Sequence, residues 1–280
     1  MLVALVTFGL VMYVQGLPLG EITTTVPASD SAESLPLLYL ITATYQRETQ
    51  FADLTRLCQT LLLVPRVHWI VIEDAAELSP HVGEFLAECG VPYSHLHAAT
   101  PPLPNGEICK TVNRQIGCFE HRLGLKQDGE GNAVVYFADD DNTYSIELFK
   151  RMRNVHTIGV WRVGFLGRMR YSGPLSEMTP QGPKLTGWHV GWAPDRPYPL
   201  DMASFAFSVR LLEQRKVEFP IQAPLGQLET TFLEQLLGPD AKLEVLDTGV
   251  KRLLVWHTRT ERPNLDKEGQ LPDAPDTPVI

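Results

Sequence analysis

The sequence predicts an α/β protein built on a doubly wound parallel sheet, and three observations carry that prediction. Apolar runs alternate with amphipathic helical stretches from residue 37 to residue 138, the pattern of βαβ units whose helices cover both faces of a parallel sheet. The three main runs each end in polar residues: Tyr45, Asp74, and the triplet Asp139, Asp140 and Asp141. Ligands of open α/β sheets gather at the carboxyl ends of their strands. Val134, Val135, Tyr136, Phe137 and Ala138 are continuously apolar, as a strand buried on both faces should be.

Residues 37–42 form the first predicted strand, closing in Ala43, Thr44, Tyr45, Gln46 and Arg47. Residues 51–63 follow as a helix, with Leu54, Leu57 and Leu61 on one stripe. A second strand at 68–72 ends in Glu73 and Asp74, a helix covers 80–88, and a short strand covers 93–97. A Pro-rich loop at 100–105 leads into a helix over 111–123, and the strand at 134–138 precedes a helix that begins near Tyr144.

After Asn154 the pattern turns to mixed β and α. Residues 159–166 are strand-like, with a partner at 168–171, and the Gly- and Trp-rich stretch 187–192 runs into a Pro-rich turn ending at Pro199. Residues 201–209 read as a strand, 229–237 as a helix, and 253–256 as a strand leading into His257, Thr258, Arg259 and Thr260. This half is expected to pack on the first, and the polar tail from Pro263 is expected to be loosely ordered.

With 280 residues, 44% hydrophobic and 20% charged, the chain suits one large α/β domain or two small ones. A net charge of −9 argues against a nucleic-acid surface. An anionic substrate therefore needs locally placed cations or a metal. Residues 1–20 carry no charged side chain and read as a secretory-pathway segment, an anchor in preference to a cleaved signal. Residues 21–36, rich in Thr, Ser, Pro and acids, read as a stem. The four cysteines, Cys58, Cys89, Cys109 and Cys118, form no Cys-x-x-Cys pair, against a zinc or thioredoxin-type site. Two disulfides are possible, and so is a buried free thiol at Cys58. The chain has no Asn-x-Ser/Thr sequon.

Three adjacent carboxylates repel one another, so the triplet is costly unless solvent, hydrogen bonds or a cation offsets the charge. A divalent ion bridging to a diphosphate does so, and oxygen ligands suit Mg²⁺ or Mn²⁺. An isolated Asp-x-Asp is more often an acidic turn that caps a helix; the strand before this one and the helix after it favour the ligand. The converging strand ends match a nucleotide pocket, where a ring stacks on a base and a carboxylate accepts from its edge. No Gly-x-Gly-x-x-Gly or Walker loop is present, which leaves phosphate charge to a metal and to cations.

Phe137-Ala-Asp-Asp-Asp-Asn-Thr-Tyr144 and Trp256-His-Thr-Arg-Thr-Glu261, together with matching segments around Tyr45, Asp74, Trp192 and Glu229, resemble the β-1,3-glucuronosyltransferases. That resemblance runs from residue 37 to about 263. It implies a GT-A glycosyltransferase fold, an Mn²⁺ cofactor, inversion at the anomeric carbon and a homodimer. The implied reaction moves glucuronic acid from UDP-glucuronate to a terminal galactose of a glycan, in a Golgi type II membrane enzyme with a lumenal catalytic domain.

The resemblance further implies a UDP-binding part at 37–154, an acceptor-binding part at 155–263 and a tail at 264–280. Carried over by position, Tyr45 stacks on uracil, Asp74 binds its edge and Arg114 contacts the donor. Asp139 and Asp140 hold the uridine, Asp141 ligates the metal, and His257 and Arg259 reach the diphosphate. Trp192 and Asp201 line the acceptor site, and Glu229 is the catalytic base. Singly, each has a plainer reading: a core aromatic, a hydrogen-bonded histidine, a surface arginine, or an acid favoured in a first helical turn. The chain departs from the family pattern at Cys109 and Leu225, where arginines are usual, and at Ser172, where an acid is common. A catalytically weak member, or a transferase with another donor sugar, is the alternative these departures imply.

Overall fold

The computed structural model describes residues 35–99, 133–215, 217, 226–238, 242–247, 249 and 252–267. The expected N-terminal anchor, the expected stem up to residue 34, the helix at 111–123, Arg114, Cys109, Cys118 and Leu225 lie outside the described residues. Among the described residues no helix is long and apolar enough to cross a membrane.

The large sheet is assembled from β1 (Leu38–Thr44), β2 (Val67–Glu73), β3 (Tyr93–His97), β4 (Val134–Phe137), β6 (Ile158–Val160), β10 (Phe205–Ser208) and β11 (Leu243–Val245), in the order β11-β6-β10-β4-β1-β2-β3. β1 runs parallel to β2 and β4, and β2 parallel to β3. The strands therefore end together, and Tyr45, Asp74 and the Asp triplet emerge along one edge. β10 is antiparallel to both β4 and β6. The parallel sheet expected of the first half is present as β4-β1-β2-β3, and the antiparallel β10 comes from the second half, where mixed β and α is expected.

The helices seat on the sheet by their apolar stripes. α1 (Gln50–Leu61) buries Leu54, Leu57 and Leu61, in one cluster with Trp69 and Val71 of β2. α2 (Pro80–Cys89) begins at Ser79, whose side chain accepts from the Val82 amide, and ends at Gly90 in the left-handed region at φ 79°. The two helices are joined by a disulfide between Cys58 and Cys89, 31 residues apart in sequence. This settles the alternatives for Cys58, and a loop of that size gives about 3–4 kcal/mol of stabilisation in the chain-entropy picture. On the opposite face α5 (Leu228–Leu236) buries Phe232, Leu233 and Leu236. Phe232 lies 5.8 Å from Phe137 and 5.6 Å from Phe207, centroid to centroid. That aromatic contact sets where the N-terminus of α5 points.

The remaining strands, β5 (Thr143–Tyr144), β7 (Val163–Gly164), β8 (Tyr171–Thr179), β9 (Gly182–His189) and β12 (Val255–Trp256), form a second sheet in the order β5-β12-β7-β8-β9. α3 (Ile146–Met152) and the short α4 (Arg210–Gln214) complete the regular elements. The single strand expected at 159–166 is two strands in different sheets, because Trp161 is pulled inward between them. Its indole donates to the Ala203 carbonyl at 2.9 Å, and its amide donates to the Ser204 carbonyl. The partner expected at 168–171 is in fact a turn up to Arg170, with β8 beginning at Tyr171. The strand expected at 201–209 starts as a 3₁₀ turn, Met202–Ser204, because the Asp201 side chain accepts from the Ala203 amide and Ser204 returns the cap.

Candidate active site

Strand β4 is fully buried, and the chain leaves it through Ala138 into the acidic triplet. Each carboxylate meets a different environment. Asp139 accepts from Asn142 Nδ2 at 3.0 Å. Burial, with the charges of Asp201, Asp141 and Asp140, pushes its pKa up to about 8. Asp140 accepts from Thr44 Oγ1 and pairs with Arg47, both at 2.7 Å. Burial raises its pKa, and the Arg47 guanidinium opposes that rise. Among the described residues no hydrogen bond is given to the Asp141 carboxylate, and burial together with Asp140 and Asp53 raises its pKa. Asn142 Oδ1 is buried with no partner among the described residues, a cost of about 1–3 kcal/mol that native folds concentrate at functional sites.

The other strand ends come to the same edge. The Asp74 amide donates to the Thr44 carbonyl at 2.8 Å, which ties the end of β2 to the end of β1. Tyr45 follows β1, with the Arg47 guanidinium 4.7 Å from its ring centroid. From the far end of the chain, β12 delivers residues 257–260 to the triplet. The His257 amide donates to the Gly164 carbonyl, and Thr258 Oγ1 donates to the Asp141 carbonyl at 2.6 Å. The charge of His257 acts on Asp141, and Arg259 on the same segment is exposed.

A second group of side chains faces this edge. Asp201 caps its 3₁₀ turn, and its charge acts on both Asp139 and Glu229. Glu229 lies in the first turn of α5, where burial, then Asp201, raises its pKa to about 7. Thr230 Oγ1 donates to the Tyr198 carbonyl at 2.9 Å, holding the start of α5 against the loop that carries Trp192. Trp192 is 47% exposed.

The structure therefore brings Asp139, Asp201 and Glu229 into electrostatic contact, and Asp141 with His257. Arg196 was missed in the sequence. Its guanidinium lies 4.8 Å over the Trp192 ring, donates to the Gly226 carbonyl at 2.6 Å, and acts on Glu229 and Asp201. The available signal was a cation four residues after Trp192 in a proline-rich turn. Arg47, which pairs with Asp140 across the site, carries no signal in the sequence beyond its place in a strand's closing turn.

No group of three or more His, Cys, Asp or Glu side chains among the described residues is arranged to hold a metal ion by itself. The chemistry fits an ion taken on one carboxylate and completed by substrate phosphates and water, the usual Mg²⁺ mode. Asp141, half-buried and with no described hydrogen bond to its carboxylate, is the carboxylate available for it, since Asp139 and Asp140 are taken up by Asn142, Thr44 and Arg47.

The sequence model of glycosyltransferase family 43 matches residues 57–261. Galactosylgalactosylxylosylprotein 3-beta-glucuronosyltransferase 3 of Mus musculus is 42% identical over 257 residues, covering 85% of this chain and 75% of that protein. The sqv-8 protein of Caenorhabditis elegans, with the same enzyme name, is 40% identical over 246 residues, covering 84% of this chain and 67% of that one. Among solved structures, S. aureus TarS 1–349 in complex with UDP-GlcNAc superposes with a TM-score of 0.50 at 13% identity, over 82% of this chain and 60% of that one. That likeness speaks to the fold, a GT-A-like glycosyltransferase architecture. By the extent of the match and by these identities, the chain belongs to glycosyltransferase family 43.

Proposed function

We propose that this chain transfers glucuronic acid from UDP-glucuronate to the 3-hydroxyl of a terminal galactose, with inversion and with Mn²⁺. The observation that carries this reading is Glu229: a carboxyl poised near pH 7, one charged neighbour away from the acidic triplet through Asp201. Inverting transfer needs one base, which takes the proton of the acceptor hydroxyl while its oxygen attacks the anomeric carbon from the face opposite UDP. Such a base works best with a pKa near the working pH.

The remaining roles are those that the family resemblance implies, Arg114 among them lying outside the described residues. Tyr45 stacks on uracil and Asp74 accepts from its edge, with Arg114 as a further donor contact. Asp139 and Asp140 hold the uridine, and His257 and Arg259 take diphosphate charge. Trp192 provides the acceptor platform and Asp201 orients the sugar. Asp141 would hold the Mn²⁺, which supplies Lewis-acid charge to the departing diphosphate when bound. The names of the relatives support a galactosylgalactosylxylosyl acceptor.

The Cys58–Cys89 disulfide and the uncharged residues 1–20 support a lumenal catalytic domain on a Golgi type II anchor. We extend the proposal to a homodimer, to be read by light scattering. A catalytically weak saccharide-binding member is the second reading. It is favoured by Ser172, which is buried and spends its hydroxyl on the His189 carbonyl at 3.1 Å. Turnover of UDP-glucuronate with and without Mn²⁺, on a digalactoside and on N-acetyllactosamine, tests both. Metal-dependent transfer to the digalactoside is expected, and UDP binding without transfer to either acceptor would leave the second reading.

A further inference from the structure

We infer that Asp53 is a positioning residue for donor binding: with Arg47 and Thr260 it fastens the uridine side and the diphosphate side of the site into one unit. The inference rests on the reading of the site as a UDP-sugar site. Asp53 lies in the first turn of α1, fully buried; its charge acts on Asp140 and Asp141, but its hydrogen bonds go to none of the described groups assigned to the donor. Both of its oxygens are nonetheless saturated by side chains that lead there. Oδ2 accepts from Arg47 Nη2 at 2.7 Å and from Thr49 Oγ1 at 3.1 Å. Oδ1 accepts from Arg56 Nη2 at 2.5 Å and from Thr260 Oγ1, which is 207 residues away.

Each partner reaches a different part of the site. Arg47 Nη2 also lies 2.7 Å from Asp140 Oδ2, and its guanidinium covers the Tyr45 ring. Thr260 ends the 257–260 segment that carries His257 and Arg259. That segment is held by the His257 amide on the Gly164 carbonyl, by Thr258 on the Asp141 carbonyl and on Thr143 Oγ1, and by Thr260 on Asp53 and Arg56, with Arg262 just beyond it on Glu48 at 2.6 Å. Among the described residues, the Thr260 hydroxyl is the one fastening point between Thr258 and the exposed Arg262–Glu48 pair, in the stretch that carries Arg259.

A buried ion cluster is weak evidence for stability, because desolvation offsets most of the attraction. Its better-attested use is to fix one arrangement among several, and ligand sites need supporting side chains that lock the contacting ones. Thr260 is the informative position, since it contributes to the strap and not to α1. Thr260→Val keeps shape and removes the hydroxyl, whereas Thr260→Ser keeps the hydroxyl.

The test uses the full-length protein with Mn²⁺, measuring UDP binding by calorimetry, donor and acceptor KM, and Tm. Thr260→Val removes the hydroxyl's hydrogen bonds to Asp53 and Arg56, and because these act on the donor only through the strap it is expected to weaken UDP binding and raise donor KM by about five- to tenfold, less than their full loss. Acceptor KM should not move, Thr260→Ser should match wild type, and Asp53→Asn should exceed Thr260→Val in the same direction. An unchanged UDP Kd in Thr260→Val overturns the inference. So does a parallel rise of both KM values with a fall in Tm, which would make the cluster a folding device only. Wild-type UDP binding without glucuronate transfer would remove the catalytic reading, and the calorimetric comparison would still decide the role of Asp53. Absence of UDP binding in the wild type overturns both.

Discussion

The indole of Trp192 lies against Gly226, where a β-carbon would fall 1.7 Å from Cη2 of the ring. Gly226 sits at φ 75°, and Arg196 closes the arrangement from above by donating to its carbonyl. The residue that admits the indole thus lies just ahead of the helix that carries Glu229, so the proposed acceptor platform and the proposed base share one anchor.

Gly226→Ala is therefore expected to displace Trp192 and raise acceptor KM by about tenfold or more, a loss of roughly 1.4 kcal/mol. The UDP Kd should stay at the wild-type value, since no donor contact is touched. Steady-state kinetics with each substrate varied, beside calorimetry with UDP, checks the split. A donor-side loss of equal size would place Trp192 elsewhere in the reaction.

Glu229→Gln is expected to lower kcat by at least ~10²-fold, the low end of general-base contributions, with donor affinity retained. In the active enzyme the acid limb of the pH–rate profile should fall near pH 7, where burial has moved this carboxyl. Asp201 raises that pKa and Arg196 lowers it. Asp201→Asn should therefore move the limb to lower pH, and Arg196→Met to higher pH. A limb that ignores both substitutions would assign it to another group.

Asp139 carries a stability consequence of definite sign. Its pKa is about 8 in the fold, against an ordinary value of 3.8, so between those values the folded state holds the proton more tightly than the unfolded chain. The stability it contributes is complete below about pH 4 and is lost as pH rises through about 8. In EDTA, Asp139→Asn should gain on wild type across this window, on the order of a few kcal/mol at its upper end. Urea titrations at pH 5 and pH 8 give the difference, and an equal gain at both would contradict the shift.

Asp141→Ala should abolish the Mn²⁺-dependent part of UDP binding while leaving the metal-free protein folded. The Asp141 pKa is raised by burial, Asp140 and Asp53, so removing that charge should lift Tm slightly in EDTA at neutral pH. Equal UDP affinity in mutant and wild type, both with metal, would move the ion to another carboxylate.

Much of the fold was legible because its signals are local. The apolar run 134–138, the Leu54, Leu57 and Leu61 stripe and the Ser79-Pro80 start of α2 each state an element and its buried face. The site was legible where a strand end and a short motif coincide, at Tyr45, Asp74 and the Asp triplet. Reading failed where distant side chains override local pattern. Trp161 moves the chain from one sheet to the other because Ala203 and Ser204, about 40 residues on, take its hydrogen bonds. Asp201 begins a turn in an otherwise strand-like run because its carboxylate prefers the amide two residues ahead.

By itself, then, the sequence determined which residues line the carboxyl edge of the sheet, since alternation and apolar runs dictate strand direction and burial without reference to partners. It also determined that phosphate charge has no glycine loop to receive it. Tertiary structure alone decided that Arg47 sits between Asp53 and Asp140, that Cys58 meets Cys89, and that Glu229 feels Asp201. Periodicity tells which way a side chain faces. What it faces, and hence its pKa and its role, depends on segments that are brought together only when the apolar faces of α1 and α5 close on opposite sides of the sheet.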